Sequence, residues 1–128
     1  MAALFFREER DIDFLSACEE VRRESGYLPP YKIASKAVMK PAMSFYLHPR
    51  EYLLIICGNG RKLPRKGVKR ELHLEILSRY GKLKKLFHDK NLIARMIAGQ
   101  TAPRFYISEA RAVSLYYELL KHKKKMRV

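Results

Sequence analysis

Cysteine is scarce in this 128-residue sequence, tryptophan is absent, and long apolar runs and catalytic signatures are missing. Cys18 and Cys57 are the two cysteines and form no CxxC spacing, so buried free thiols are expected rather than a disulfide framework or a zinc site. Glycine and proline number six each without any low-complexity tract, which removes fibrous and wholly disordered classes. There is no run of about 18 apolar residues to span a membrane. The opening MAALFFREERD has an apolar patch too short for a signal peptide, with acids directly behind it, so the expected location is cytoplasmic. His48, His73, His88 and His122 show no HxxxH or HExxH spacing, and His73 and Glu75 cannot share one helix face. GxGxxG, GxxxxGKS and GxSxG are all missing, and nothing points a histidine at either cysteine. The expectation is a protein that is not an enzyme and has no cofactor and no metal.

What the sequence does have is positive charge, placed on one side. Residues 1–60 hold eight Lys/Arg and eight Asp/Glu; residues 61–128 hold nineteen against five, so the net +14 belongs wholly to the second half. A one-sided positive field is an association surface for polyanions, nucleic acid first among them.

The hydrophobic content of 48% is enough for one core, or two small ones sharing a face. Residues 8–25 predict a helix with Phe14, Cys18 and Val21 on one face, stopped by Gly26. Pro29 and Pro30 make Tyr27 to Tyr31 a rigid connection. A short helix is expected over 32–38, a second from Pro41 to Leu47, and a third over 49–57, where the apolar run YLLIIC follows a Pro-Arg-Glu start. Residues 58–68, rich in glycine, proline and base, read as a linker. Leu72, Ile76, Tyr80, Leu83 and Phe87 predict an amphipathic helix over 69–87. A short helix over 91–98 ended by Gly99 comes next, then another beginning at Thr101-Ala102-Pro103. The last helix is capped by Ser108 and turns Ala112, Val113, Tyr116, Leu119 and Leu120 inward. Lysines in the tail from Lys121 to Val128 suit the helix dipole, and fraying is expected at the tail's end.

The elements repeat. Shifted by sixty positions without gaps, Ile33, Ala34, Ala42, Phe45 and Tyr46 fall on Ile93, Ala94, Ala102, Phe105 and Tyr106, and Leu47 falls on Ile107. The fold class expected is therefore all-α, two sequential helix-turn-helix-like units packed into one compact basic protein. The first spans 1–57 and the second 69–128, joined by the basic linker 58–68. Within each unit the aromatic pair is expected to pack in the core and not to stack on bases.

Ile33-Ala34, Ala37, a turn at Met39-Lys40, Phe45-Tyr46, and Glu51 before Leu53-Leu54 resemble the helix-turn-helix of TetR-type DNA-binding proteins, over about twenty residues per half. The first copy has Met39 where that family has a turn glycine, and its spacing is one residue longer. The resemblance implies a bracing helix and a second helix lying in the major groove of DNA. It implies that Lys40, Met43 and Ser44, and Gln100, Thr101 and Arg104, approach the duplex. Arg104 is the expected base reader, since a guanidinium can fork onto guanine; Thr101 would hold a phosphate or cap its helix. Charge alone adds Arg61, Lys62, Arg65, Lys66, Lys69 and Arg70 before the long helix, Lys82, Lys84 and Lys85 along it, and Lys121, Lys123, Lys124 and Lys125 in the tail. The expected partner is nucleic acid, duplex DNA foremost. The alternatives are RNA or the ribosome, and a protein-interaction or assembly subunit that self-associates or docks through the acidic first helix, where Asp11, Asp13, Glu19 and Glu20 lie. No membrane is expected as partner.

Overall fold

The structure is a computed structural model that describes residues 6–58 and 63–126, with the side chains of 123–126 left aside. It is all-α. The helices are α1 (Arg7–Ser25), α2 (Pro30–Ala37), α3 (Pro49–Cys57), α4 (Val68–Leu83), α5 (Lys90–Ala98) and α6 (Glu109–Met126).

Local chemistry accounts for most boundaries. α1 has Glu8 and Glu9 in its first turn and Arg22 and Arg23 in its last, both favourable to the helix dipole, and buries Phe14, Ala17, Cys18 and Val21. α2 starts two residues before the expected Lys32, because Pro30 fits a first-turn position whose N–H has no partner anyway. The YLLIIC run is a helix: Pro49 opens α3, the His48 ring Nδ1 accepts the Arg50 N–H at 3.1 Å, and left-handed Gly58 closes it. α5 is capped by Asp89, whose carboxylate accepts the Asn91 N–H at 2.9 Å. Ser108 caps α6 by accepting the Arg111 N–H at 3.2 Å.

Two expectations fail. The helix expected to reach Phe87 stops at Leu83; the chain turns over 84–86, and the Phe87 N–H returns to the Leu83 carbonyl at 2.9 Å. That turn brings Phe87 against the core and frees Asp89 to cap α5. α6 continues to Met126. Most consequentially, 41–47 and the stretch beginning at Thr101 are not helices. So short a helix gains few internal hydrogen bonds against a costly nucleus. The two segments pair with each other instead: the Ala42 N–H donates to the Ala102 carbonyl at 3.0 Å and the Ala102 N–H to the Ala42 carbonyl at 2.9 Å.

Ala42 and Ala102 are the same position of the two copies, so the bridge joins a residue to its own counterpart. The helix packing obeys the same relation. α2 packs on α1 and α6, α5 on α4 and α3, while α3 rests on α4 and α6 on α1. A shift of one repeat turns each of these contacts into another, which describes an approximate twofold axis running between the two alanines. Each half thus lends its third helix to the other, and one hydrophobic cluster spans both. The Phe14 ring meets Phe105 edge-on at 5.4 Å and Phe45 stacks on Tyr106 at 5.9 Å, so the aromatic pairs are core, as the sequence indicates.

Ala42 and Ala102 are buried where two backbones touch, so a larger side chain at either position forces them apart. Ala42→Leu and Ala102→Leu are each expected to lower unfolding free energy by about 1–3 kcal/mol or more, measured by urea denaturation; unchanged midpoints in both would remove the bridge as a structural constraint. The core also sets an alkaline limit. Burial raises the hydroxyls of Tyr46, Tyr52, Tyr106 and Tyr116, and burial, helped by Glu19, pushes the Cys18 thiol up from 9.0 to about 12. These groups hold their protons more tightly folded than unfolded, so the stability they carry is complete below the unfolded values and is lost as pH rises through the folded ones. Urea midpoints should hold steady near pH 8 and fall above about pH 9, with a shallower fall between pH 9 and 12 in Cys18→Ala.

Candidate nucleic-acid interface

Of the turn residues singled out by the helix-turn-helix resemblance, Lys40 and Arg104 are held by the protein's own acids. Lys40 Nζ lies 2.8 Å from Glu24 and 3.3 Å from Glu20, both on α1, and this contact lowers the Glu24 carboxyl and raises the Lys40 ammonium. Asp13 accepts the Met43 N–H at 2.9 Å and the Tyr46 hydroxyl at 2.5 Å. The Ser44 hydroxyl accepts the Tyr46 N–H at 3.0 Å. Those three contacts hold Tyr46 at φ 57, a left-handed conformation that non-glycine residues seldom adopt. Met43 projects outward, 74% exposed.

In the second copy the same seam is built with other chemistry. Arg79 on α4 donates to the Gln100 side-chain oxygen and to the Thr101 carbonyl, both at 2.9 Å, pairs with Glu75 at 3.6 Å, and lies 4.8 Å over the Phe45 ring. Thr101 is exposed and has no helix to cap. Arg104 pairs with Glu71 at 3.0 Å and donates to the carbonyls of Phe105 at 3.1 Å and Ile107 at 3.4 Å, leaving its side chain 18% exposed. Its guanidinium is thus spent on locking the 104–107 segment to α4. With no helix at 41–47 or 101–107, there is no second helix here to enter a groove.

The cations without internal partners lie elsewhere. Arg61 and Lys62 fall outside the described residues, as do the side chains of Lys123, Lys124 and Lys125. Arg65, Lys66 and Lys69 are exposed at the start of α4, where Arg70 turns inward to donate to the Pro64 carbonyl at 3.1 Å. Beyond the other end of that helix, Lys82, Lys84, Lys85 and Lys90 are exposed, followed by Arg95 on α5. Lys84 lies 5.7 Å over the Tyr80 ring, and the one acid among them, Asp89, is engaged as a helix cap. Arg111 and Lys121 are exposed on α6. Lys90, Arg95 and Arg111 stand outside the runs of charge that mark the other cations in the sequence. Their signal there is the absence of an acid one helical turn away.

Among the described residues no polar or charged side chain is buried, and no group of three His, Cys, Asp or Glu side chains is placed to hold a metal ion. No helix among them is long and apolar enough to cross a membrane. No known protein family, no characterised protein and no solved structure matches the chain.

Arg104→Ala would leave Glu71 alone and two carbonyls short of a donor. The expected result is a stability loss of about 1.5–3 kcal/mol, as for hydrogen bonds with a charged partner. Thermal or urea unfolding measures it, and an unchanged midpoint would return Arg104 to the surface as a free ligand-binding group.

Proposed function

We propose that the protein is a non-catalytic nucleic-acid-binding protein that grips the phosphate backbone, of duplex DNA in the first instance, with the cations of its second half. The observation that carries this is how the acids are used. Glu71, Glu75 and Asp89 are engaged by Arg104, Arg79 and the α5 N-terminus, so Arg65, Lys66 and Lys69 at one end of α4 and Lys82, Lys85 and Lys90 at the other remain unpaired. The sixteen residues of α4 separate the two groups by about 24 Å. Two basic clusters at that distance suit a strand of phosphates better than a single small anion. Contacts to phosphate position a protein without reading bases, so the expected binding is weakly sequence-dependent.

A second reading, single-stranded nucleic acid or RNA, is favoured by one observation. Tyr27 and Tyr31 are 95% and 52% exposed beside Arg23 and Lys32, and exposed aromatics among cations suit unpaired bases.

Fluorescence anisotropy with duplex DNA, single-stranded DNA and structured RNA at 50 and 200 mM salt tests both readings. With six to ten phosphates engaged, affinity should drop about 10³ to 10⁵-fold over that range. Lys82→Gln with Lys85→Gln should reduce the slope of log affinity against log salt by about two on duplex DNA, near one for each phosphate that is no longer neutralised. Binding that ignores salt, or none at 50 mM, would discard the proposal.

A further inference from the structure

The repeat is well kept in its core and broken at one corner. Between the last turn of α1, the 26–29 connection, the start of α2 and the second half of α6 lies a cavity of about 730 Å³, within the usual range of roughly 300–1,000 Å³ for small-molecule sites. Ile33, Tyr116 and Leu120 give it an apolar wall; Arg22 and Arg23 stand on its rim with Glu19, and Tyr27 stands at its mouth. Arg22 lies against the Tyr116 hydroxyl.

The sixty-residue shift that pairs Ile33 with Ile93 pairs Tyr27 with Phe87. Phe87 packs half-buried against the common core, whereas the Tyr27 ring is 95% exposed. The backbone explains the difference. α4 ends at Leu83 and leaves six residues in which to fold Phe87 inward, but α1 runs to Ser25 and leaves four, with Gly26 at φ 68 turning the chain out and Pro29 and Pro30 stiffening the entry to α2. In the second copy the ring packs against the core, and in the first it stays in solvent beside the cavity. The cavity thus offers an apolar wall with an aromatic ring at its mouth, which suits a flat base, and the two arginines at its rim favour a ligand that carries negative charge.

We infer that this corner is a binding site for a nucleotide, its base seated against Ile33, Tyr116 and Leu120 and flanked by Tyr27, its phosphate held by Arg22 and Arg23. Two cations outweigh Glu19 at the rim, and planar guanidinium groups suit phosphate oxygens. The nucleotide is either free or an unpaired unit of a bound strand, and both present the same base and phosphate. The site is built from α1, α2 and α6 and does not depend on the α4 cations.

Because the sequence contains no tryptophan, Tyr27→Trp installs a single reporter at the mouth of the cavity. Titration of that variant with AMP should quench its fluorescence to saturation, with adenosine at least about tenfold weaker. Adding Arg22→Gln and Arg23→Gln should bring AMP down to the level of adenosine, while Lys82→Gln with Lys85→Gln leaves AMP binding unchanged, which keeps this site's fate apart from that of the phosphate track. A tetranucleotide of adenine binding at least tenfold more tightly than AMP assigns the site to a strand; equal or weaker binding assigns it to the free nucleotide. Inorganic phosphate displacing AMP at the concentrations at which AMP itself binds, quenching indifferent to both arginines, or no saturable quenching would each overturn the inference.

Discussion

Two hydrogen bonds between Ala42 and Ala102 are the constraint on which the architecture turns. A helical protein normally satisfies its backbone within each helix, and here two non-helical stretches bond to each other, at Ala42 and Ala102 and again where the Phe105 N–H donates to the Val38 carbonyl at 2.9 Å. Two backbones can meet at that distance only if the side chains between them are small, and both residues are alanine and buried. Once the segments are pinned there, the next helices leave on opposite sides and each lands on the other half. The exchange of third helices, the single hydrophobic cluster and the approximate twofold axis are consequences of that crossing.

Much of this was legible in the residues, and the part that was not has a specific cause. Helices with a strong apolar period or a cap were read within a few residues: Phe14, Cys18 and Val21 on α1, Pro49 opening α3, Ser108 ahead of α6. The repeat itself was visible, and with it the core role of Phe45 and Phe105. What one sequence does not reveal is which copy a segment pairs with. Pro41 and Pro103 suit a first helical turn, so a local reading continues each into a short helix, whereas the competing bridge is a contact sixty residues away. The helix-turn-helix expectation rested on that local reading, and its outward residues lost their geometry when the helices did.

The candidate site moved for a related reason. Lys40, Gln100 and Arg104 were chosen as polar residues in a turn, and polar residues in a turn have two fates. Near a helix of opposite charge they become braces. Lys40 found Glu20 and Glu24, Arg104 found Glu71, and Gln100 found Arg79. Only the surroundings in three dimensions separate a brace from a free surface group, so the sequence shows where the charge lies but not which of these polar residues are tied to the protein itself.

Symmetry of the frame and asymmetry of the surface have a common origin. Lys40 and Gln100 occupy the same position of the two copies, and each is tied to the long helix of its own half. In the first copy α1 supplies the acids and the turn supplies the base; in the second α4 supplies the base and the turn supplies the acceptor. The brace survives with its polarity reversed. Packing needs only that the two partners be complementary, so it leaves the sign of charge on each long helix free to differ. α1 spends Asp13, Glu20 and Glu24 on its own turn segment, whereas α4 needs only Glu71 and Glu75 to hold Arg104 and Arg79 and is left bordered by lysines at both ends. A frame built twice from nearly the same apolar residues can thus present one nearly neutral half and one strongly basic half without loss to its core, and that freedom is what allows a symmetric fold to carry a one-sided charge.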